Sequence, residues 1–97
     1  MRMQFLSLSR RRTEAFSDAE FAILAEAESQ RVRSLYAEGI IRQIWQRGDL
    51  PGACILFEAA SEEEVRTALA TLPMMQAGML ELLWVIPLKP YRGFGPR

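Results

Sequence analysis

The stretch ACILFEAASEEEVRTALATLP, residues 53–73, holds a strand pattern, a helix start and a helix stop in immediate succession. Residues 53–59 are apolar on both parities, which is typical of a strand buried on both faces. Ser61 and Glu64 then form the capping-box pattern that begins helices, and the apolar residues that follow lie three and four positions apart, as on one helix face. Pro73 predicts the end of this helix, because proline lacks the backbone donor that a helix interior needs.

The flanking segments continue the alternation of strands and helices. Ser17 and Glu20 form a second capping box, and Gly39 supplies the left-handed residue that closes helices, so a helix is predicted from residue 18 to residue 37 or 38. Residues 48–52, GDLPG, are rich in turn formers. The predicted strands are residues 3–9, 40–47, 53–59 and 79–88.

The resulting order β-α-β-β-α-β predicts a ferredoxin-like α+β fold, with two helices on one face of a four-stranded antiparallel sheet. We expect a single domain over residues 1–97, with a folded core of residues 1–88 and an extended tail of residues 89–97. Two strands are apolar on both faces, and no segment remains to cover the second face. We therefore expect a homodimer, in which two sheets pack together as a dimeric α+β barrel and the aromatic tail lies on a neighbouring subunit.

Composition excludes several classes of function. The 12 Lys+Arg residues balance 12 Asp+Glu residues, whereas nucleic-acid binders usually carry a basic excess. The chain has no histidine and one cysteine, which removes the usual zinc and iron sites, the Ser-His and Cys-His nucleophile pairs and any disulfide within the chain. We therefore expect no metal and no cofactor. Any chemistry would rest on carboxylates, arginines, tyrosines or the backbone.

The sequence also predicts a location. Residues 1–8 contain Arg2 and lack the apolar run of a signal peptide, and the longest nearly apolar stretch, residues 82–88, is too short to cross a bilayer. Together with the single cysteine, this favours the cytoplasm and argues against a membrane partner. The arginine run of residues 10–12 is typical of a solvated loop. Its alternative role is an electropositive rim that attracts an anionic substrate.

One carboxylate lies on the apolar face of the first predicted helix. At 100° per residue, Glu28 falls about 20° from Phe21, within the apolar stripe, whereas Glu20, Glu26 and Glu38 fall outside it. A buried carboxylate resists ionisation, which raises its pKa towards the range useful for proton transfer. Two hypotheses remain open from the residues alone. Glu28 forms a structural ion pair with Arg42 or Arg31, or it is a general base in a pocket between helix and sheet.

Several motifs resemble those of one family. Glu28, the run Glu38-Gly39-x-x-Arg42-x-x-Trp45, Phe57-Glu58-x-x-Ser61, Leu72-Pro73 and Glu81 are together similar to the muconolactone delta-isomerase family over residues 25–82. Residues 72–81 also resemble the YCII-related proteins of the same barrel superfamily. The resemblance implies a ferredoxin-like fold, β-sheet dimers that assemble into larger rings such as decamers, and a small-molecule substrate.

The resemblance also implies a reaction, the movement of a proton between carbons of an unsaturated lactone without metal or organic cofactor. Glu28 matches the family's proton carrier, and Arg42 is the motif residue suited to a substrate carboxylate or a developing oxyanion. Gln43 stands where the family places histidine. Further substrate-binding candidates are Gln43, Trp45, Tyr36, Phe57 and Trp84.

A second function from another class also fits the sequence. In this alternative the chain is a non-catalytic small-molecule binding or assembly protein of the same superfamily, in which Glu28 and Arg42 form a structural pair.

Overall fold

The structure, a computed structural model, describes residues 1–95 and confirms the ferredoxin-like α+β fold. The elements in chain order are β1 (Met3–Arg11), α1 (Asp18–Ala37), β2 (Ile41–Gln46), β3 (Ala53–Ala59), α2 (Glu62–Ala70), α3 (Pro73–Gln76) and β4 (Leu80–Leu88). The four strands form one sheet in the order β2-β3-β1-β4, in which all neighbours are antiparallel.

The register of the sheet separates two faces. Phe5 pairs with Phe57 and both are buried on the side of the helices, whereas Leu6 pairs with Leu56 on the opposite side. We call this opposite side the open face. Its apolar residues are Leu6, Leu8, Trp45, Cys54, Leu56, Trp84, Ile86 and Leu88. The register shifts in β4, where Leu8 pairs with Trp84 and Ser9 pairs with Leu82, so that Leu83 has no partner on β1.

Local sequence signals explain the helix boundaries. The Ser17 side chain accepts from the Glu20 backbone N–H at 3.2 Å, and the Glu20 carboxylate accepts from the Ser17 N–H at 2.8 Å, so the first capping box is formed as predicted. Gly39 has φ 80°, which glycine adopts at little cost, and this turn releases the chain from α1 into β2. The Ser61 side chain begins α2 by accepting from the Glu64 N–H at 3.2 Å.

The main hydrophobic core lies between the helices and the helix-facing side of the sheet. It joins residues of β1 and β3 to residues of α1 and α2. Its buried members include Phe5, Leu35, Ile41, Ile55, Phe57, Val65, Leu69 and Leu72. A smaller cluster of Phe21, Met74 and Met79 closes the far end of α1 against α3.

The sequence pattern did not predict α3. Pro73 does end α2, but it also begins a second helical turn, with Pro73 at its first position. Proline suits that position, because the first N–H groups of a helix have no acceptor within the helix and the missing N–H of proline therefore costs no hydrogen bond. This turn carries Met74 and Met75 under α1 and delays β4 to Leu80.

The tail beyond β4 lies outside the core up to the last described residue. Tyr91 and Phe94 are 82 % and 85 % exposed. Pro96 and Arg97, the last residues of the predicted tail, lie outside the described residues, and contact of the tail with another subunit stays a prediction. Within residues 1–95, no helix is long and apolar enough to cross a membrane.

Candidate functional site

A cavity of about 580 Å³ opens between α1 and the helix-facing side of the sheet, beside the turn that joins β2 to β3. Its apolar wall comes from α1, α2, the sheet and the α2–α3 segment. This wall includes Val32, Ile44, Ile55, Leu69, Leu72 and Met75. The polar wall is formed by Glu28, Gln46, three arginines and two serines. An apolar cavity with a few convergent polar groups is the usual form of a small-molecule site.

Glu28 lies in this wall with a defined hydrogen bond. Its Oε1 accepts from the backbone N–H of Met74 at 2.9 Å. Burial of half of the group raises the pKa of the Glu28 carboxyl above its usual value, because the charged form loses water. The Met74 hydrogen bond and the positive charge of Arg11 oppose this rise without cancelling it. The carboxylate is therefore poised to exchange a proton closer to neutral pH than an ordinary glutamate.

The Met74 hydrogen bond has a local cause in the sequence. The first N–H groups of any helix lack partners within the helix, and a side chain at the N-cap usually accepts from them. In α3 the N-cap residue is Leu72, which has no such side chain. Glu28 on α1 takes over this role and caps α3 from outside. An N-cap residue without an acceptor was the signal in the sequence that could have revealed this partner.

The ion pair expected for Glu28 is absent from the described residues. Arg31 donates to Thr71 Oγ1 at 2.8 Å and lies 3.9 Å from Glu38, so it is engaged elsewhere. Arg42 lies at the register shift of the edge strand β2, and its guanidinium lies over Gly39. The interpretation of Glu28 as the partner of Arg42 or Arg31 is therefore corrected: the partner is a backbone N–H.

Of the predicted site residues, the structure places Glu28 in the cavity wall and Trp45 at its border on the edge strand, although the register of Trp45 opposite Cys54 assigns its side chain to the open face. Arg42 is exposed and does not line it. Tyr36 is 63 % exposed at the end of α1, and it too lies outside the lining. Arg42 itself lies at the register shift between Ile41 and Gln43.

The remaining predicted residues lie in the core or on the open face. Phe57 is 0 % exposed, and its ring packs in the core instead of lining the cavity. Gln43 pairs with Leu56 and Trp84 pairs with Leu8, which places both on the open face, across the sheet from the cavity. Periodicity does not tell which side of a strand that is apolar on both faces meets the helices. The sequence pattern therefore did not place these side chains relative to the cavity, and their role in substrate binding stays a prediction.

Two of the three cavity arginines have partners. The Arg47 guanidinium contacts both carboxylate oxygens of Asp49, at 3.0 and 2.8 Å, and donates to the Ser9 carbonyl at 3.2 Å. This pairing lowers the pKa of Asp49 to about 2. Arg33 donates to Glu26 at 2.9 Å at the cavity mouth. The third, Arg11, lies over the Phe21 ring, 4.9 Å from its centroid. Among residues 1–95, no group of three or more acidic, histidine or cysteine side chains could hold a metal ion.

The raised pKa of Glu28 has a measurable effect on stability. Between pH 4.5 and the raised pKa, the folded chain holds a proton that the unfolded chain has released. The free energy of unfolding of the wild type therefore falls, relative to Glu28→Gln, as the pH rises through this window. Denaturant titrations of both proteins from pH 4 to pH 8 measure the difference. The assignment would be contradicted if the free energy of unfolding of the wild type, relative to Glu28→Gln, rose with pH. It would also be contradicted if the wild type showed the same fall with pH relative to Glu26→Gln.

Comparisons with known proteins agree with this architecture. A model of the family described as muconolactone delta-isomerase matches residues 3–93. A comparison with curated protein sequences gives no match. One similar solved structure is 5-chloro-2-hydroxyhydroquinone dehydrochlorinase from Burkholderia phenoliruptrix AC1100 in complex with 2,5-dihydroxybenzoquinone. It has 21 % sequence identity and a TM-score of 0.68, over 94 % of this chain and 96 % of that chain. Because the family match spans nearly the whole sequence, the chain belongs to the muconolactone delta-isomerase family.

Proposed function

We propose that the protein is a cofactor-independent isomerase that shifts a proton between carbons of a small unsaturated lactone or a related acid, with Glu28 as the base. The observation that carries the proposal is a half-buried carboxylate in the cavity wall whose hydrogen-bond partner is a backbone N–H, with no cation at ion-pair distance among the described residues and with the charge of Arg11 only partly offsetting the effect of burial. A cation would hold the carboxylate ionised and lower its basicity, whereas burial makes it a stronger base. Family membership supports the reaction class.

The proposed reaction needs one group that removes a proton and returns it elsewhere. The Glu28 carboxylate takes a proton from a carbon conjugated to the lactone carbonyl, and the electron pair of the broken C–H bond moves into a dienolate. The protonated carboxyl then returns the proton to another carbon of the dienolate, so atoms and charge balance. The Met74 N–H holds Oε1, which leaves Oε2 available for the exchange. The apolar wall keeps water from competing for the intermediate.

Deuterium exchange tests the reaction class directly. Muconolactone and other unsaturated lactone acids are incubated with the protein in D₂O, and the ring protons are followed by NMR. We expect loss of the exchangeable ring-proton signal together with movement of the double bond. Binding of the lactones with no exchange and no isomerisation would overturn the isomerase proposal.

That outcome would instead favour the alternative, a non-catalytic binding or assembly protein. One observation favours it specifically: the Glu28 carboxylate caps α3, so the residue has a structural role even without a reaction. In this case Glu28 variants without an acceptor oxygen would lower stability, and the cavity would still bind ligands.

We also propose that a second copy of the chain covers the open face. Eight apolar side chains on one side of a sheet form a larger exposed patch than a soluble monomer normally carries. Charged pairs lie at its ends: Arg10 with Glu81 at one end and Arg2 with Glu58 at the other. An apolar centre with a charged rim is the usual composition of an interface between subunits. Assembly of such dimers into a ring such as a decamer, and a cytoplasmic location, remain part of this proposal.

A charge at the centre of the open face tests the dimer. Leu6 pairs with Leu56 on one side and with Ile86 on the other, so Leu6→Glu would bury a carboxylate between two sheets. We expect light scattering to give the wild type a mass of at least two 11.1 kDa chains and the variant the mass of one. Ile23→Glu on the exposed side of α1 is the matched control and should keep the dimer. A monomeric wild type would contradict the proposal.

A further inference from the structure

The arginine run of residues 10–12 divides into three different environments. Arg10 is held by Glu14 and Glu81 on the open side of the sheet. Arg12 donates to the Gly78 carbonyl at 2.9 Å and lies 3.6 Å from Glu14. Arg11, between them, points to the helix side of the sheet and reaches the cavity wall. A run of like residues on a strand alternates between faces, so the middle residue is separated from the surface network.

Arg11 is also the cavity arginine that forms no ion pair within residues 1–95, although its charge acts on the Glu28 carboxylate in the same cavity wall. The ion pairs of the described residues use Arg33 and Arg47 but not Arg11. Its guanidinium lies over the ring of Phe21, which is only 3 % exposed and is therefore a fixed platform. Stacking orients the flat guanidinium and leaves its edge N–H groups available. A guanidinium held in this way is suited to two parallel hydrogen bonds with an anionic oxygen group.

We propose that Arg11 is the residue that binds the anionic oxygen group of the ligand in the cavity and selects anionic over neutral ligands. The role falls to Arg11 because Arg42, the motif arginine, lies outside the cavity. The inference deepens the proposed function and rests on it for the use of the cavity as a substrate site. The ligand class is a small ring compound that carries a carboxylate or an ionised enol. With Arg11 at the anionic group, the reacting carbons of the same small ring come to lie beside Glu28, since both residues line one cavity.

Two pairs of probes, each an acid and its neutral methyl derivative, test the selection by calorimetry at neutral pH. The first pair is 2,5-dihydroxybenzoquinone, an ionised enol, and 2,5-dimethoxybenzoquinone. The second pair is muconolactone, a carboxylate, and its methyl ester. We expect the wild type to prefer the acid by at least about tenfold in one or both pairs, as one charge-assisted bidentate contact provides. The pair that shows the preference identifies the source of the anionic oxygen.

Arg11→Gln should abolish this preference, and Arg11→Lys should restore only part of it, because lysine keeps the charge but loses the planar fork. Arg11→Met keeps an apolar contact with Phe21 and should behave as Arg11→Gln, which separates loss of binding from loss of folding. Arg66→Gln removes one positive charge from the exposed side of α2, outside the cavity lining, and should change the preference less than twofold.

An acid preference that survives in Arg11→Gln or Arg11→Met overturns the inference. So does a wild type that binds all four probes equally or binds none of them. The readout is equilibrium binding, so it is separate from turnover. A wild type that binds acids through Arg11 but exchanges no proton contradicts the isomerase proposal and leaves the assignment of Arg11 standing.

Discussion

Replacement of Glu28 by glutamine is expected to lower the rate of proton exchange and isomerisation by about 100- to 10,000-fold, the range that a positioned base contributes. The loss should appear in kcat, with little change in ligand affinity, because glutamine has nearly the same shape and cannot accept a proton from carbon. The amide oxygen of glutamine can still accept from the Met74 N–H, so α3 keeps its cap. Glu28→Gln should therefore fold as the wild type does.

Glu26→Gln is the matched control for this variant. Glu26 lies on the same helix, is exposed and pairs with Arg33, so its replacement makes the same chemical change away from the cavity wall. We expect its turnover to stay within about twofold of the wild type, as for a surface substitution with a small effect. Steady-state kinetics by NMR on a lactone that the wild type isomerises provides the measurement. Turnover in Glu28→Gln equal to that of Glu26→Gln would exclude Glu28 as the base.

The fold could be predicted from the sequence because its signals are local. The predicted capping box is complete at the start of α1, its Ser61 half forms at the start of α2, and the structure places Gly39 at the left-handed position that ends α1. The order of elements then restricts the topology, since short connections and right-handed crossovers leave few arrangements. The helix that was not predicted, α3, is too short to show a periodic pattern. Its first residue, Pro73, is also typical of the end of the preceding helix.

The site could be predicted only in part, because it depends on contacts between distant segments. The helical wheel placed Glu28 on the buried side of α1, which the cavity wall confirms. The hydrogen-bond donor to Glu28 is the backbone N–H of Met74, 46 residues further along the chain. Patterns of side chains in the sequence do not record backbone partners of this kind. Arg42 was chosen for its place in a motif, whereas the register shift in β2 turns it away from the cavity.

The turn between β2 and β3 leads to the second large expected effect, on stability. This turn folds back on the end of β1, where the Arg11 N–H donates to the Pro51 carbonyl at 2.9 Å. Gly52 lies at the closest point of this approach. A Cβ at Gly52 would overlap the Ser9 carbonyl oxygen and lie 2.9 Å from Arg10 Cα. Both atoms belong to the backbone of β1, so no side-chain rotation can make room.

We therefore expect Gly52→Ala to lower the free energy of unfolding by about 1–3 kcal/mol, as for other overpacked sites, and Tm by about 5–20 °C. The turn must move away from β1, which weakens the Arg11 to Pro51 hydrogen bond and the Arg47 contact with the Ser9 carbonyl. Because Arg47, Pro51 and Gly52 line the cavity, ligand affinity should fall as well. Calorimetric melting at one protein concentration measures the change in Tm.

Gly48→Ala is the matched control, because it places the same methyl group in the same turn with no atom within 4 Å. Alanine at such an open position restricts the unfolded chain, so Tm should stay the same or rise slightly. The contrast separates the approach of Gly52 to β1 from a general need for glycine in the turn. Equal melting temperatures for Gly52→Ala and Gly48→Ala would show that the turn can leave β1 without cost. The end of β1, and with it Arg11, would then not depend on Gly52 for its position beside the cavity.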